Sequence, residues 1–169
     1  QSDKPVKFIL PVSAGSGVDA IVRGAAPALG KALGAPVVVE NQPGAGGVVG
    51  TQALIKAAPD GHTLGVVSNN HVIYPSVLKS VPFDPLTDIT PITIVATSPM
   101  VLVVNPELPA KDMKELVALL KANPGKYNYA SSGNGTILHL AAELFKSVTG
   151  THITHLPYRV TGPMIGEII

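Results

Sequence analysis

The sequence contains no cysteine and no tryptophan, and aromatic residues make up only 4% of its 169 positions. Without cysteine there can be no disulfide framework, no thiolate metal site and no thiol nucleophile. Charged residues are also scarce, at 14%, and 12 basic against 11 acidic side chains leave a formal net charge of +1. A basic surface interleaved with aromatic side chains, which nucleic acid binding favours, is therefore not expected.

Long apolar runs are missing as well, although 46% of the residues are hydrophobic. Glycine and proline, 17 and 16 residues respectively, interrupt every apolar stretch. None reaches the roughly 18 residues that a membrane-spanning helix needs. No charged and apolar leader stands at residues 1–5, so an export signal is expected either to have been removed or never to have existed. This composition is typical of a compact globular protein.

Short β-branched runs alternate along the chain with longer segments of helical spacing. Residues 6–11 predict a buried strand, and residues 18–33 predict a helix that ends before a glycine and a proline. The same order of strand, loop and helix is repeated over residues 37–58 and 63–79. Three such units in succession predict a parallel sheet covered by helices.

The rhythm of the sequence changes after residue 81. Two β-branched runs, at residues 92–96 and 100–105, are separated by only a few residues and predict two strands at a crossing between domains. The order of helix, strand, loop and helix resumes at residue 112. It continues to a last helical segment after Thr161.

We therefore expect two α/β domains. Residues 1–97 would form the N-terminal part of the first domain, and residues 98–169 would begin the second. The sequence ends on Ile168 and Ile169, two apolar residues in helical phase with no glycine, asparagine or basic residue behind them. The natural chain is therefore expected to continue, and the second domain to be incomplete here.

Four loops that connect a strand to the next helix are unusually small and polar. In an open α/β sheet, ligands bind beyond the C-terminal ends of the strands. Glycine lets the backbone approach a ligand closely, and a helix N-terminus carries about half a positive charge, so a carboxylate or phosphate is the expected ligand. A single loop of this kind could equally be a turn that only packs a strand against a helix. Four such loops in corresponding positions favour a ligand-binding surface. The loops comprise residues 14–17, 44–47, 68–71 and 131–136.

The first loop also resembles a dinucleotide-binding pattern. Gly15, Gly17 and Ala20 have the spacing GxGxxA between a strand and a helix, and Glu40 closes the next strand. An NAD(P)-binding oxidoreductase domain is therefore the main alternative function. A purely structural α/β module, whose loops bind nothing, is a further one.

Two features argue against a dinucleotide in that loop. Asp19 lies in the first turn of the helix, where its carboxylate would repel a pyrophosphate, and residues 11–14 make the turn longer than the pattern requires. Asp19 also suits the positive end of the helix dipole and can pair with Arg23 four residues later. A functional alternative for Asp19 is contact with an amine of the ligand or with an ordered water.

Motifs of catalysis and metal binding are missing. No GxSxG, HExxH or GxxxxGK pattern occurs, so no motif indicates a catalytic nucleophile. His152 and His155 have no carboxylate or cysteine cluster nearby and are expected at surface or strand positions, not on zinc. His139, in the first turn of the helix after Thr136, is placed to face a pocket. We expect no enzymatic activity, no cofactor and no metal.

Several motifs follow one another in a characteristic order. They are PVSAGSGVD at 11–19, ENQPGAGG at 40–47, APDGHTL at 58–64, SSGNGT at 131–136, HLAAEL at 139–144 and LPYRVTGP at 156–163. Together they resemble the Bug, or TctC-like, receptor family, which comprises the extracytoplasmic solute receptors of tripartite tricarboxylate transporters. The resemblance runs from about Val6 to the end of the sequence.

The resemblance implies a type II periplasmic-binding-protein fold, with two α/β domains, a hinge and a ligand cleft. It implies a periplasmic receptor, monomeric when full length, that delivers a small carboxylate to membrane transporter subunits. The carboxylate could be a di- or tricarboxylate, an amino acid or an aromatic acid. Two loops would hold it through backbone amides and ordered water, and the 69–71 turn would add side chains. The candidate ligand-binding residues are Ala14, Gly15, Ser16, Gly17, Asp19, Asn69, Asn70, His71, Ser131, Ser132, Asn134, Gly135, Thr136 and His139.

Overall fold

A computed structural model describes residues 4–168, which divide into two compact units, one up to Ser98 and one from Pro99. Both units follow the order of strand, loop and helix, and their strands pair in parallel. The predicted α/β class is therefore confirmed. The predicted domain boundary at residue 97 and the incomplete second domain stay predictions. Within residues 4–168 no helix is both long enough and apolar enough to cross a membrane.

The first unit contains a parallel sheet of three strands, β1 (Val6–Leu10), β2 (Val37–Asn41) and β3 (Thr63–Gly65). Their order in the sheet is β2-β1-β3. β1 is the central strand, because Phe8 lies opposite Val39 on one side and Leu64 on the other. Since all three strands run in the same direction, their C-terminal ends meet at one edge of the sheet.

Three α-helices and one short 3-10 helix follow these strands. They are α1 (Gly17–Leu33), the 3-10 helix (Ala45–Gly47), α2 (Val48–Ile55) and α3 (Asn70–Val77). α1 begins after the N-cap Ser16, and it ends at Gly34, whose φ of 65° is the left-handed conformation that glycine favours at a helix end.

The core of the first unit lies between β1 and α1. Val6, Phe8 and Leu10 alternate along β1 and are buried together with Val22 of α1 and with Ala35. Alternate residues of a strand point to the same face, so this spacing is what directs β1 onto the helix. The buried face positions the end of β1, and with it the loop that leads into α1.

The second unit contains two parallel strands and three helices. The elements are α4 (Met113–Ala122), β4 (Asn128–Ser131), α5 (Ile137–Thr149), β5 (Thr154–Pro157) and α6 (Thr161–Ile168). Its core joins Leu116 and Leu120 of α4 to Ile153, the residue directly before β5. The hydrogen-bonded register places Tyr129 of β4 opposite His155 of β5.

The two strands predicted at residues 92–96 and 100–105 are not formed, and this prediction is wrong. In the described part of the chain neither run pairs with a strand, and the side chains of Ile94 and Val101 are 80% and 73% exposed. β-branched residues form a strand only where a neighbouring strand supplies partners for their N–H and C=O groups. The composition of these two runs predicts an extended backbone, but it does not show whether a partner strand is present.

Candidate ligand-binding loops

The loops that follow β1, β2 and β3 contact one another at the C-terminal edge of the first sheet. The side-chain amide of Asn41 donates to the Val12 carbonyl at 3.3 Å. Asn70 Nδ2 and the Tyr74 hydroxyl both donate to the Gly46 carbonyl, at 3.4 and 3.1 Å. Three loops that sequence analysis treated separately therefore form one connected surface, in the position where α/β sheets bind ligands.

Asp19 is buried in the first turn of α1, beside the first loop. Its carboxylate accepts hydrogen bonds from the Gly15 amide, the Asn41 side-chain amide and Arg23 Nε, each at 2.9 Å. The Gly15 amide first, then Asn41 and Arg23, hold the pKa of Asp19 below its ordinary value, against the opposing effect of burial. The predicted pair with Arg23 is present, and the carboxylate is occupied in shaping the loop.

Ser16 is the N-cap of α1, and its hydrogen bonds fix the backbone where the loop enters the helix. Its hydroxyl accepts from the Asp19 amide at 3.3 Å, and its own amide donates to the Ser13 carbonyl at 3.3 Å. Gly15 has a φ of +77°, a conformation that favours glycine. Gly17 is the first helical residue and lies at the surface, so its amide belongs to the first-turn donors that have no acceptor within their own helix. Ala14 is exposed beside them.

The 69–71 turn is divided between surface and interior. Asn69 is exposed, whereas Asn70 and His71 are buried. His71 Nε2 lies 2.6 Å from the Pro85 carbonyl, and its ring stacks on Phe83 with 6.0 Å between the ring centroids. Asn70 and His71 therefore hold neighbouring segments together, and Asn69 is the member of the turn whose side chain is presented at the surface.

The loop after β4 is held by hydrogen bonds between its own residues. The Gly133 amide donates to Ser131 Oγ at 3.1 Å, and Thr136 Oγ1 donates to the Gly133 carbonyl at 2.8 Å. Ser131 is entirely buried and Thr136 nearly so. Both hydroxyls, predicted as ligand contacts, are hydrogen bonded within the loop itself.

The remaining members of this loop differ in exposure. Asn134 is exposed, Ser132 is half-buried and Gly135 is buried. Ile137 is the first residue of α5, so the loop leads directly into a helix N-terminus. Backbone amides in such a position, with the Asn134 side chain beside them, can bind an anion.

His139 faces the backbone of the loop. Its Nδ1 accepts a hydrogen bond from the Gly135 amide at 3.2 Å, and its own amide donates to Thr136 Oγ1 at 3.4 Å. The sequence placed His139 correctly in the first helical turn, but the partner of its ring is the loop. Its predicted contact with a ligand stays a prediction.

A stack of three rings lies beside this loop and was missed by sequence analysis. The His155 ring stacks on His139 and on Tyr129, with 4.3 and 4.8 Å between centroids, and His155 Nε2 lies 2.6 Å from Ser131 Oγ. Burial first, and then charge on His139, lower the pKa of His155. The signal in the sequence was weak, because His155 lies 16 positions from His139 and 26 from Tyr129, and only the second contact follows from strand pairing.

Neither a metal site nor a dinucleotide site gains support from these contacts. Within residues 4–168 no group of three or more acidic or histidine side chains is arranged to hold a metal ion. Glu40, which belonged to the dinucleotide pattern, pairs with Lys7 at 2.9 Å. His152 lies at the surface, as expected.

The sequence model of the tripartite tricarboxylate transporter family receptor, TctC, matches residues 21–169. The chain belongs to this family. A UPF0065 protein of Bordetella pertussis is 41% identical over 157 residues, covering 92% of this chain and 48% of that protein. BugT of the same organism is 38% identical over 168 residues, covering 98% of this chain and 52% of BugT. The chain thus spans about half the length of the curated relatives it matches, and the family predicted from the motifs is confirmed.

Solved structures of TctC-type proteins share the fold. The periplasmic binding protein BugD has a TM-score of 0.86 and 30% identity, over 99% of this chain and 56% of BugD. An R. palustris protein solved with adipate has a TM-score of 0.92 and 30% identity, over 97% and 55%. MatC from Rhodopseudomonas palustris with bound malate has a TM-score of 0.89 and 27% identity, over 97% and 56%. The periplasmic-binding-protein fold predicted from the sequence is therefore confirmed.

Proposed function

We propose that the whole protein to which this chain belongs is a periplasmic receptor that captures a small carboxylate and delivers it to the membrane subunits of a tripartite tricarboxylate-type transporter. Membership of the TctC family supports this role, and two neighbours in structure were solved with the dicarboxylates adipate and malate. In this proposal the protein binds its ligand without transforming it, needs no cofactor and works as a monomer.

The observation that carries the proposal is a loop architecture that occurs once in each unit. A glycine with φ near +77°, Gly15 or Gly135, precedes a hydroxyl N-cap, Ser16 or Thr136. Each N-cap hydroxyl accepts from the amide three residues later and so fixes the first helical turn. A helix N-terminus of this kind can donate backbone N–H groups to an anion.

A carboxylate is the anion that suits these loops. Charge-assisted hydrogen bonds from backbone amides are short and directional, and each is worth about 1.5–3 kcal/mol. The polar side chains that lie at the surface near the loops, Asn69 and Asn134, are neutral amides. These two side chains can hydrogen bond to the rest of a small ligand and bring no negative charge of their own.

The proposal is tested by the thermal unfolding of the whole protein in the presence of malate, adipate, NAD or NADP. A ligand at a hundred times its Kd raises the free energy of unfolding by about 2.7 kcal/mol, which is readily measured as a shift of Tm. We expect a shift with at least one dicarboxylate. A shift with NAD or NADP alone would favour the oxidoreductase alternative, and no shift with any compound would favour the structural module.

A proline at Gly17 tests the role of the backbone amide. Gly17→Pro removes one N–H at the first helical position, where the ring is tolerated, and the preceding Ser16 already has the extended conformation that proline requires. Met113→Pro is the matched control, because Met113 opens α4 after the extended N-cap Asp112 and lies outside the loops. We expect Gly17→Pro to weaken dicarboxylate binding about tenfold. Met113→Pro should bind as the wild type does, and equal binding by both variants would contradict a contact with that amide.

A further inference from the structure

The two loops share one hydrogen bond that differs only in the side chain accepting it. In the first unit the third residue of α1, Asp19, accepts from the amide of Gly15 at 2.9 Å. In the second unit the third residue of α5, His139, accepts from the amide of Gly135 at 3.2 Å. Both glycines stand directly before the N-cap, so each bond ties the turn to the helix that follows.

The two acceptors respond differently to pH. A carboxylate accepts hydrogen bonds whenever it is ionised, and the Gly15 amide, with smaller effects from Asn41 and Arg23, lowers the pKa of Asp19 further. An imidazole nitrogen accepts only while it carries no proton. Histidine changes its charge between about pH 5 and 8. The hydrogen bond from Gly15 to Asp19 therefore persists near neutral pH, whereas the hydrogen bond from Gly135 to His139 requires an unprotonated imidazole nitrogen.

The charged and titratable groups around His139 come from three elements. The ring of His155 on β5 stacks on His139, with 4.3 Å between the ring centroids, and Tyr129 on β4 also stacks on His155. On α5 itself, Glu143 pairs with Lys146 at 2.8 Å and accepts a hydrogen bond from the Tyr129 hydroxyl. His139 thus lies in a small polar cluster that contains one carboxylate and one ammonium group.

The surroundings of His155 disfavour a positive charge on its ring. The Lys146 ammonium first and the Tyr129 hydroxyl second lower the pKa of Glu143, and positive charge on His139 adds to that effect. The pKa of His155 is lowered first by burial and then by charge on His139. Two positive charges on stacked rings would repel each other strongly.

We propose that His139 is a positioning residue that holds the 131–136 loop in its folded form only while its imidazole is neutral, so that acidification releases the Gly135 amide and weakens carboxylate binding there. A protonated Nδ1 would set a second donor against the Gly135 N–H. Because Gly135 is buried, its amide cannot turn to water without moving the loop. The effect on binding rests on the proposed function, whereas the effect on the loop does not.

The effect on the loop is tested without a ligand by ¹H–¹⁵N NMR of the whole protein between about pH 5 and 8. We expect the Gly135 amide resonance to follow the protonation of His139, and its hydrogen exchange, corrected for the intrinsic effect of pH, to accelerate about tenfold. The Gly15 amide serves as the internal control and should not respond over this range. A Gly135 amide that stays unchanged while His139 titrates would overturn the inference.

Three variants separate the imidazole from a general effect of losing a histidine. In His139→Asn the side-chain oxygen can accept from Gly135 at every pH, as the short Asp19 side chain does in the first unit, and it adds no charge beside Glu143. His139→Leu removes the acceptor, so Gly135 should exchange rapidly at all pH values. His152→Asn changes an exposed histidine and should keep the wild-type pH dependence.

The effect on binding is measured with malate and adipate as probes at about pH 7 and pH 5. Comparing the wild type with His139→Asn at each pH cancels the titration of the ligand. We expect the wild type to lose about tenfold more affinity than the variant on acidification. Parallel pH curves for the two proteins would overturn a role of His139 in binding. Absence of binding at both pH values, with a normal response of the Gly135 amide, would instead count against the proposed function alone.

Discussion

The side-chain amide of Asn41, at the end of β2, donates to Asp19 Oδ1 over 2.9 Å. This bond joins the second strand to the first turn of α1, across a separation of 22 residues. The same carboxylate holds the Gly15 amide, so one buried charge fixes the shape of the loop and the strand beside it. We therefore expect Asp19 to affect ligand binding chiefly through the backbone that it positions.

Replacing Asp19 should destabilise the protein strongly. Asp19→Ala leaves the Gly15 amide and the Asn41 side chain without their acceptor, which we expect to lower the free energy of unfolding by about 2 kcal/mol in urea denaturation. Glu40→Gln is the matched control, because Glu40 pairs with Lys7 but both side chains are at least 40% exposed. That change should cost less than about 1 kcal/mol. Equal losses would contradict a central role for Asp19.

The contribution of Asp19 should depend on pH in one direction. Folding lowers its pKa, first through the Gly15 amide and then through Asn41, from an ordinary value of 3.8. The stabilisation is therefore fully present above that value and is lost as the pH falls through the lower pKa of the folded state. The difference in stability between wild type and Asp19→Asn should be constant above about pH 5 and should narrow toward about pH 3. A difference that widens in acid would refute this assignment.

Two helical glycines should respond to alanine with opposite signs. At Gly24 in α1 an added Cβ meets no atom within 4 Å, so Gly24→Ala should stabilise by roughly 0.5–1 kcal/mol through the lower entropy cost of alanine. At Gly50 in α2 the Cβ would lie 2.6 Å from the Gln42 carbonyl oxygen and 2.8 Å from Pro11 Cα. Gly50→Ala should destabilise by about 2 kcal/mol, because backbone atoms must shift.

Thermal unfolding of both glycine variants checks this prediction. The two substitutions share the same gain in helix propensity, so the difference between them reports the packing of α2 against the loops after β1 and β2. A stabilising Gly50→Ala would contradict close packing of α2 against these loops.

Two neighbouring serines should differ in their importance for the structure of the 131–136 loop. Ser131 is entirely buried, and its hydroxyl accepts from the Gly133 amide and contacts His155 Nε2. Ser131→Ala should cost about 1–2 kcal/mol in urea denaturation, because both partners lose a hydrogen bond. Ser132 is only half-buried, and Ser132→Ala should cost about 0.5 kcal/mol or less. The reverse order would indicate that Ser132 carries the structure of the loop.

Local patterns predicted most of the elements because they reflect local physics. A short apolar run at residues 6–11 identified β1, and helical spacing before Gly34 identified α1 within one residue of its observed start. The hydroxyls of Ser16 and Thr136 lie where N-caps are expected. The runs at 92–96 and 100–105 failed because strand formation depends on a partner strand, which composition does not reveal.

The sequence by itself determined the order of the elements, the glycine-rich loops at the ends of the strands and the membership of the receptor family. Only the tertiary structure decided which polar side chains of those loops are already occupied. Asp19 holds Gly15 and Asn41, and His139 holds Gly135 beside the ring of His155. Turns, caps and periodicity arise among near neighbours in the chain, so they can be predicted from it. The hydrogen-bond partner of a buried group depends on residues that folding brings together from distant positions.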